Sequence, residues 1–354
     1  MGKRLNILIL TNELKITCGV SSALTSFLSN IPKDSNMTFY LGCGGGDAVD
    51  KFRPLVKNLF VKDYLKHENR SFINFIKNIL FIFSFCRRNR IDIIHSHTHY
   101  AANIAHIVAK LTGRKTVQSI HGIIDEIGII PHYIADKYIA VNEHIIKYFQ
   151  NKKERLLGKT FLIRCGYNFP EKCPKRTNEI IKFILGSRLI YEKGIDIYIN
   201  AIKVIPDSLR SRCEFFIAGE GKDERTFREM AKGYNIVFLG SVPDFDNFLL
   251  TTDVFIIPTR SRSEGFPTSI IQAAKSGNLV ISSDFFGVNE VLKHNHNALI
   301  FNTEDYIFLS RVIQDVIEKS RTYEEMVETN FYESKNLFDL MGMIHSTFEL
   351  YSSL

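Results

Sequence analysis

Ile180-Ile181-Lys182-Phe183-Ile184-Leu185-Gly186-Ser187-Arg188-Leu189-Ile190-Tyr191-Glu192-Lys193-Gly194 opens on a β-rich apolar run, breaks at Gly186-Ser187 and leads into an apolar helical pattern. A short buried strand followed by a helix is the repeating half of a βαβ unit. Downstream, similar strand-like runs stand at 213–218, 236–239, 254–258, 279–282 and 298–301. Upstream they stand at 5–11, 37–42, 91–95, 115–121, 137–141 and 159–164, with helical patterns between most of them. That rhythm predicts an α/β chain with parallel sheets, and it occurs twice. The polar stretch 169–178 carries Pro170 and Pro174 without periodicity and predicts a linker. The expected division is therefore a domain over 1–168, a linker over 169–178 and a second domain over 179–354. Beyond Thr303 the pattern is helical without a further strand, and those closing helices are free to pack on either domain.

Length and composition fit this division. A chain of 354 residues exceeds the size at which one core stops growing, and 45% hydrophobic with 23% charged residues is a globular balance. No apolar stretch reaches bilayer-spanning length. The apolar run near the start is short, lacks a small-residue cleavage site and reads as a first strand rather than a signal peptide. The six cysteines, at 18, 43, 86, 165, 173 and 213, show neither metal-ligand spacing nor disulfide density, so a reducing, cytoplasmic setting is expected. A net charge of +7 favours anionic partners, nucleotide diphosphates and anionic membrane surfaces among them. No nucleic-acid recognition module is present, and nucleic acid is not an expected partner.

Ligands of doubly wound sheets bind beyond the carboxyl ends of the strands, so motifs at those ends matter most. After the first strand, Gly19 lies in Thr17-Cys18-Gly19-Val20-Ser21-Ser22, where it permits close approach of a phosphate or sugar and where Ser21 or Ser22 is expected to cap a helix. A plain loop glycine accounts for it equally well. The absence of G-x-G-x-x-G argues against a dinucleotide dehydrogenase. Gly42-Cys43-Gly44-Gly45-Gly46 lacks the ending of a P-loop and reads as a flexible loop. Arg188 and Lys193 stand where cations meet a diphosphate and offset charge on a departing nucleotide, although in isolation they read as two solvated cations. In Ser263-Glu264-Gly265-Phe266-Pro267-Thr268-Ser269, Glu264 is a carboxylate able to accept from sugar hydroxyls, and Pro267 is expected in the first turn of a helix closed by Gly277. Gln272 lies two turns in, within reach of a ribose; the bland reading is an ordinary Pro-started helix with Glu264 favoured by its dipole.

Taken together, Arg188 with Glu192-Lys193-Gly194, Ile217-Ala218-Gly219-Glu220-Gly221, Phe238-Leu239-Gly240 and Ser263-Glu264-Gly265-Phe266-Pro267 resemble, in order and spacing, the GT-B glycosyltransferases of family 4. The resemblance covers nearly the whole chain. It implies two Rossmann-like doubly wound domains facing a central cleft, and transfer from a nucleotide-sugar with retention and without a metal or other cofactor. It implies that Arg188 and Lys193 hold the diphosphate and Glu264 the transferred sugar, with Gly265, Phe266, Pro267, Thr268 and Gln272 in the donor site and Gly19 beside the phosphates. His121, in Ser119-Ile120-His121-Gly122, looks like the family's active-site histidine. The chain departs from the family's E-x7-E pattern at Gln272, from its Pro-Asn-Gly-Val-Asp region at 163–168 and from Pro-Glu at Asn289-Glu290.

Two metal readings are weak. His95, His97 and His99 alternate as one side of a strand would, but no nearby carboxylate or cysteine completes a zinc site. Asp244-Phe245-Asp246 has a D-x-D form and reads better as a helix cap. The segment 70–90 joins Phe72, Phe75, Ile76, Ile79, Leu80 and Phe83 to Lys77, Arg87, Arg88 and Arg90, which suits both a packed amphipathic helix and an interfacial one on anionic lipid. The expected function is transfer of a hexose or N-acetylhexosamine, from a UDP-sugar by preference, to a glycan or lipid-linked glycan of the bacterial surface. A sugar-nucleotide epimerase and a non-catalytic nucleotide-sugar-binding subunit are the alternatives.

Overall fold

The computed structural model describes residues 4–123, 133–174, 180–260, 267–285 and 287–354. It forms two units, Met1–Gly166 with Asp339–Leu354, and Tyr167–Phe338. The last helix, Leu340–Ser352, thus returns to the first unit, whose core takes up its Leu340, Ile344, Leu350 and Tyr351.

The first unit is built on seven parallel strands: β1 (Leu5–Leu10), β2 (Met37–Cys43), β3 (Asn58–Val61), β4 (Ile93–Ser96), β5 (Lys115–Ile120), β6 (Lys137–Ala140) and β7 (Thr160–Leu162). Their order is β3-β2-β1-β4-β5-β6-β7. Ile7, Leu8, Ile9 and Leu10 are all fully buried, as a parallel strand covered on both faces requires. Alternation sends Ile7 and Ile9 into a core with Leu24, Phe27 and Ile344, and Leu8 and Leu10 into another with Ile82, Ile104 and Val108.

The second unit carries six parallel strands: β8 (Ile181–Gly186), β9 (Cys213–Ala218), β10 (Ile236–Gly240), β11 (Val254–Ile257), β12 (Leu279–Ser283) and β13 (Leu299–Phe301). Their order is β10-β9-β8-β11-β12-β13. Phe183, Leu185, Phe215 and Ile217 meet the helices Ile195–Lys203 and Tyr306–Glu318 through Ile199, Ile202, Leu309 and Ile313.

Two local expectations need correction, and the linker gains detail. The glycine-rich stretch after β2 is packed rather than loose: Gly44 N–H donates to Asn12 O, Leu14 N–H donates to Gly45 O, and a Cβ on Gly46 would lie 2.0 Å from Leu14 O. The 169–178 stretch is anchored where it is described, since Lys335 donates to the carbonyls of Pro170 and Glu171 and Phe169 stacks edge-on against Phe331. The helix Gly19–Ser29 has Cys18 as its N-cap without a side-chain bond, while Ser21 Oγ accepts from Lys15 N–H instead.

Candidate active site

In the second sheet the strand order reverses between β8 and β11, the point at which a doubly wound sheet opens toward ligand. The chain leaving β8 carries Arg188, exposed, and Lys193, half-buried at the end of a short helical turn, Tyr191–Lys193. Two glycines let backbone close on backbone here. Gly194 has φ +69°, and a Cβ on it would lie 1.9 Å from Pro258 O, so only glycine lets this loop press on the end of β11. Gly219 has φ +124° and would meet Ser187 O at the same distance, which explains the Gly219-Glu220-Gly221 segment after β9.

The turn bearing Lys193 is clamped from below by Arg260. Its guanidinium pairs with both oxygens of Asp196 at 2.7 and 2.8 Å, reaches Tyr191 O at 2.8 Å and bonds the Glu304 carboxylate. It also lies 4.0 Å from the centre of the Tyr191 ring, and Arg260 N–H donates to Glu192 O. Planar, bidentate pairing of this kind fixes geometry as well as charge.

The helix Thr268–Lys275 begins after β11 with Pro267 as N-cap, one residue outside the first turn expected for it, and without a side-chain cap bond. Gly277 follows in the left-handed region at φ +70°. Gln272 Nε2 donates to Asp246 Oδ1 at 2.6 Å, and Lys275 Nζ meets the other oxygen at 2.7 Å. Asp244 caps the short helix Phe245–Leu249, accepting from Asn247 N–H as the sequence predicted. Both carboxylates of the D-x-D segment are therefore engaged by protein donors.

In the first sheet the order reverses between β1 and β4. Gly19 begins the helix that follows β1, and a cluster of imidazoles lies at the ends of β4 and β5. His97 Nδ1 and His121 Nε2 are 2.9 Å apart, and His95 bridges Tyr351 OH at 2.6 Å and Ser119 Oγ at 2.8 Å. His99 Nδ1 takes a different partner, Gln118 Nε2, at 3.2 Å, so the three alternating histidines do not converge on one point. Burial, with neighbouring imidazoles adding to it, lowers His95 to about 3, His121 to about 4 and His97 well below the ordinary range. All three rings are neutral near pH 7.

Residues 168–331, which contain every described donor-site candidate of the second unit, match the family model for glycosyl transferases group 1. That segment is a domain of the family. A solved structure of the Anabaena protein HepE, in complex with UDP and glucose, superposes with a TM-score of 0.79 at 17% identity, over 99% of this chain and 100% of that one. The fold is GT-B. Among curated relatives, the phosphatidylinositol N-acetylglucosaminyltransferase gpi3 subunit of Schizosaccharomyces pombe is 25% identical over 80% of this chain and 64% of its own length. The Escherichia coli UDP-Gal:alpha-D-GlcNAc-diphosphoundecaprenol alpha-1,3-galactosyltransferase is 23% identical over 73% of this chain and 74% of its own. The chain spans less than two thirds of the first of these proteins.

The structure brings Arg188, Lys193, Pro267, Thr268 and Gln272 to one end of the second sheet, and Gly19 and His121 to the corresponding end of the first. Glu264, Gly265 and Phe266 lie outside the described residues. Gln272 gives one of its two amide hydrogens to Asp246, which leaves its second N–H and its oxygen for a ribose hydroxyl. Sequence reading missed Arg260 and Asp196, and it read Asp246 within a helix cap rather than as the partner of Gln272 and Lys275. Arg260 follows Pro258-Thr259 at the end of a strand, and that position was the available signal.

Proposed function

We propose that this chain is a nucleotide-sugar-dependent glycosyltransferase that moves a hexose or N-acetylhexosamine from a UDP-sugar to a lipid-linked glycan, with retention and without a bound metal. The observation that carries the reading is that the clamped Lys193 turn follows β8 while the helix Thr268–Lys275, which starts without a side-chain cap, follows β11, the two strands that meet at the switch point of the second sheet. Backbone amides and cations so placed suit a diphosphate, and Arg188 and Lys193 offset the charge on the departing UDP. Glu264 and His121 hold the transferred sugar. The UDP bound by HepE and the UDP-Gal named for the Escherichia coli relative support the choice of base.

The acceptor is proposed from the relatives together with the helix Phe72–Arg88. No helix among the described residues is long and apolar enough to cross a membrane. This one buries Asn78, Ile79, Ile82 and Cys86, yet leaves Phe72 79%, Ile73 67% and Leu80 64% exposed, with Lys77, Arg87 and Arg88 also exposed. Such a face suits anionic lipid, and it would hold the enzyme at the surface where a lipid-linked glycan of a bacterial envelope is built.

A second reading, a binding subunit without turnover, is favoured by Gln272 and its bond to Asp246. A thermal-shift screen with UDP, GDP, ADP and their sugars, followed by a transfer assay, separates the two. A UDP-specific shift with turnover supports the enzyme, whereas a shift without turnover on any acceptor supports the binder.

A further inference from the structure

β4 and β5 run parallel with His95 opposite Val117 and Ser96 opposite Gln118, so His97 comes level with Ser119 and His121 follows two residues on, each the first residue past its strand. Their rings stack at 5.2 Å between centroids and 24° between planes, with His97 Nδ1 2.9 Å from His121 Nε2. A hydrogen bond between two neutral imidazoles needs one N–H and one lone pair, so a single hydrogen lies between them. Which ring owns it decides the tautomer of both.

The surroundings of His97 decide ownership. Its other nitrogen, Nε2, is enclosed and has no hydrogen-bond partner among the described residues. His97 lines a cavity whose walls include Ile9, Leu24, Ile139 and Ile163. The hydroxyls on that wall are already engaged: Tyr351 and Ser119 with His95, and Thr347 with Met343 O. A buried N–H without an acceptor is rarer and costlier than a lone pair without a donor. The hydrogen therefore belongs on His97 Nδ1, which leaves Nε2 as a bare lone pair in an apolar wall. His121 Nε2 then accepts, and His121 carries its own hydrogen on Nδ1.

We propose that His97 is a positioning residue for His121, donating from Nδ1 to His121 Nε2 and so holding His121 as the Nδ1–H tautomer, a neutral donor to a sugar oxygen. This rests on the reading that His121 meets the transferred sugar. In this state Nδ1 of His121 gives a hydrogen bond and cannot take a proton from the acceptor hydroxyl, so His121 orients the sugar and is not a general base.

The test uses the full-length protein labelled with 15N-histidine and free of donor and acceptor. Long-range 1H–15N correlation, assigned by the signal lost in His121→Gln, is expected to show His121 protonated at Nδ1 and bare at Nε2. His97→Phe removes the donor and is expected to shift His121 toward the Nε2–H form, whereas His97→Asn, whose amide donates from nearly the place of Nδ1, retains the Nδ1–H form. In transfer assays His97→Phe is expected to lower kcat on the order of 10- to 100-fold with little change in donor KM, and His97→Asn to recover most of it. An Nε2–H tautomer of His121 in the wild type, or an unchanged tautomer in His97→Phe, overturns the proposal. Should the wild type transfer no sugar at all, the functional reading fails, and the tautomer of His121 still stands or falls on the spectrum.

Discussion

Replacing Arg260 by Met keeps the side-chain stem and the backbone N–H bond to Glu192 O but removes the guanidinium donors that fasten the Lys193 turn. In the structure the Arg260 and Asp196 side chains are 13% and 16% exposed, so the bidentate pair is well shielded from water. Breaking such a pair from one side costs about 3 to 5 kcal/mol, because a carboxylate is left buried without its partner. Asp196 lies in the first turn of the helix Ile195–Lys203, where the dipole returns about 0.3 to 1 kcal/mol. Glu304, 58% exposed, is rehydrated and adds little. The net expectation is a loss of about 3 kcal/mol in the second unit, or about 6 to 12 °C in its melting temperature. Loss of the bond to Tyr191 O also frees the turn before Lys193, and UDP affinity is expected to fall about ten-fold. Hydrogen exchange across 181–203 reads the stability of the unit without assuming that the whole chain melts in one step, and calorimetric titration reads UDP. A double-mutant cycle with Asp196→Asn is expected to give a coupling above about 1 kcal/mol. A loss below about 1 kcal/mol with UDP affinity intact would refute the clamp.

Gln272→Glu, which restores the family residue, sets a second carboxylate against Asp246 and is expected to cost about 1 to 2 kcal/mol despite Lys275 nearby, with Asp246→Asn relieving the cost; equal denaturation midpoints would contradict it. The first unit is expected to be acid-labile. His95, His97 and His121, packed with Tyr351, Ser119, Arg164 and Cys165, are all lowered on folding, so their stabilisation is complete above about pH 6.5 and is lost as pH falls toward the values near 4 and 3. Together they contribute a slope of up to about 4 kcal/mol per pH unit, and urea midpoints that stay flat over that window would count against the buried neutral cluster. Phe72→Ser combined with Leu80→Ser is expected to abolish pelleting with anionic vesicles at low salt while leaving UDP binding unchanged, and equal pelleting of variant and wild type would remove the membrane face.

The strands were legible as short apolar runs, continuous where a parallel strand is buried on both faces as in β11, and twelve of the thirteen described strands stand where such runs do. β3 escaped: it is four residues at a sheet edge with exposed ends, too short to show a period. Gly42 to Gly46 misled for a chemical reason, since glycine density signals freedom in a solvated loop but close approach in a packed one. Lys193 and Arg188 were visible through their place at a strand end. Arg260 was visible, but its work was not, because its partners Asp196 and Glu304 lie 64 and 44 residues away. The pairing of His97 with His121 needed the register of two neighbouring strands, which no spacing within either strand contains.

Sugar transfer from a nucleotide-sugar is proposed to depend on residues that follow β8 and β11. Its most direct test is incubation with radiolabelled UDP-hexoses and UDP-N-acetylhexosamines and a lipid-linked sugar acceptor, with partition of label into the lipid phase measured for the wild type, Lys193→Ala and Glu264→Ala. Label is expected in the lipid phase from one UDP-sugar, with its anomeric configuration retained, and is expected to be lost in both variants while the fold persists. Turnover in either variant close to that of the wild type would contradict it.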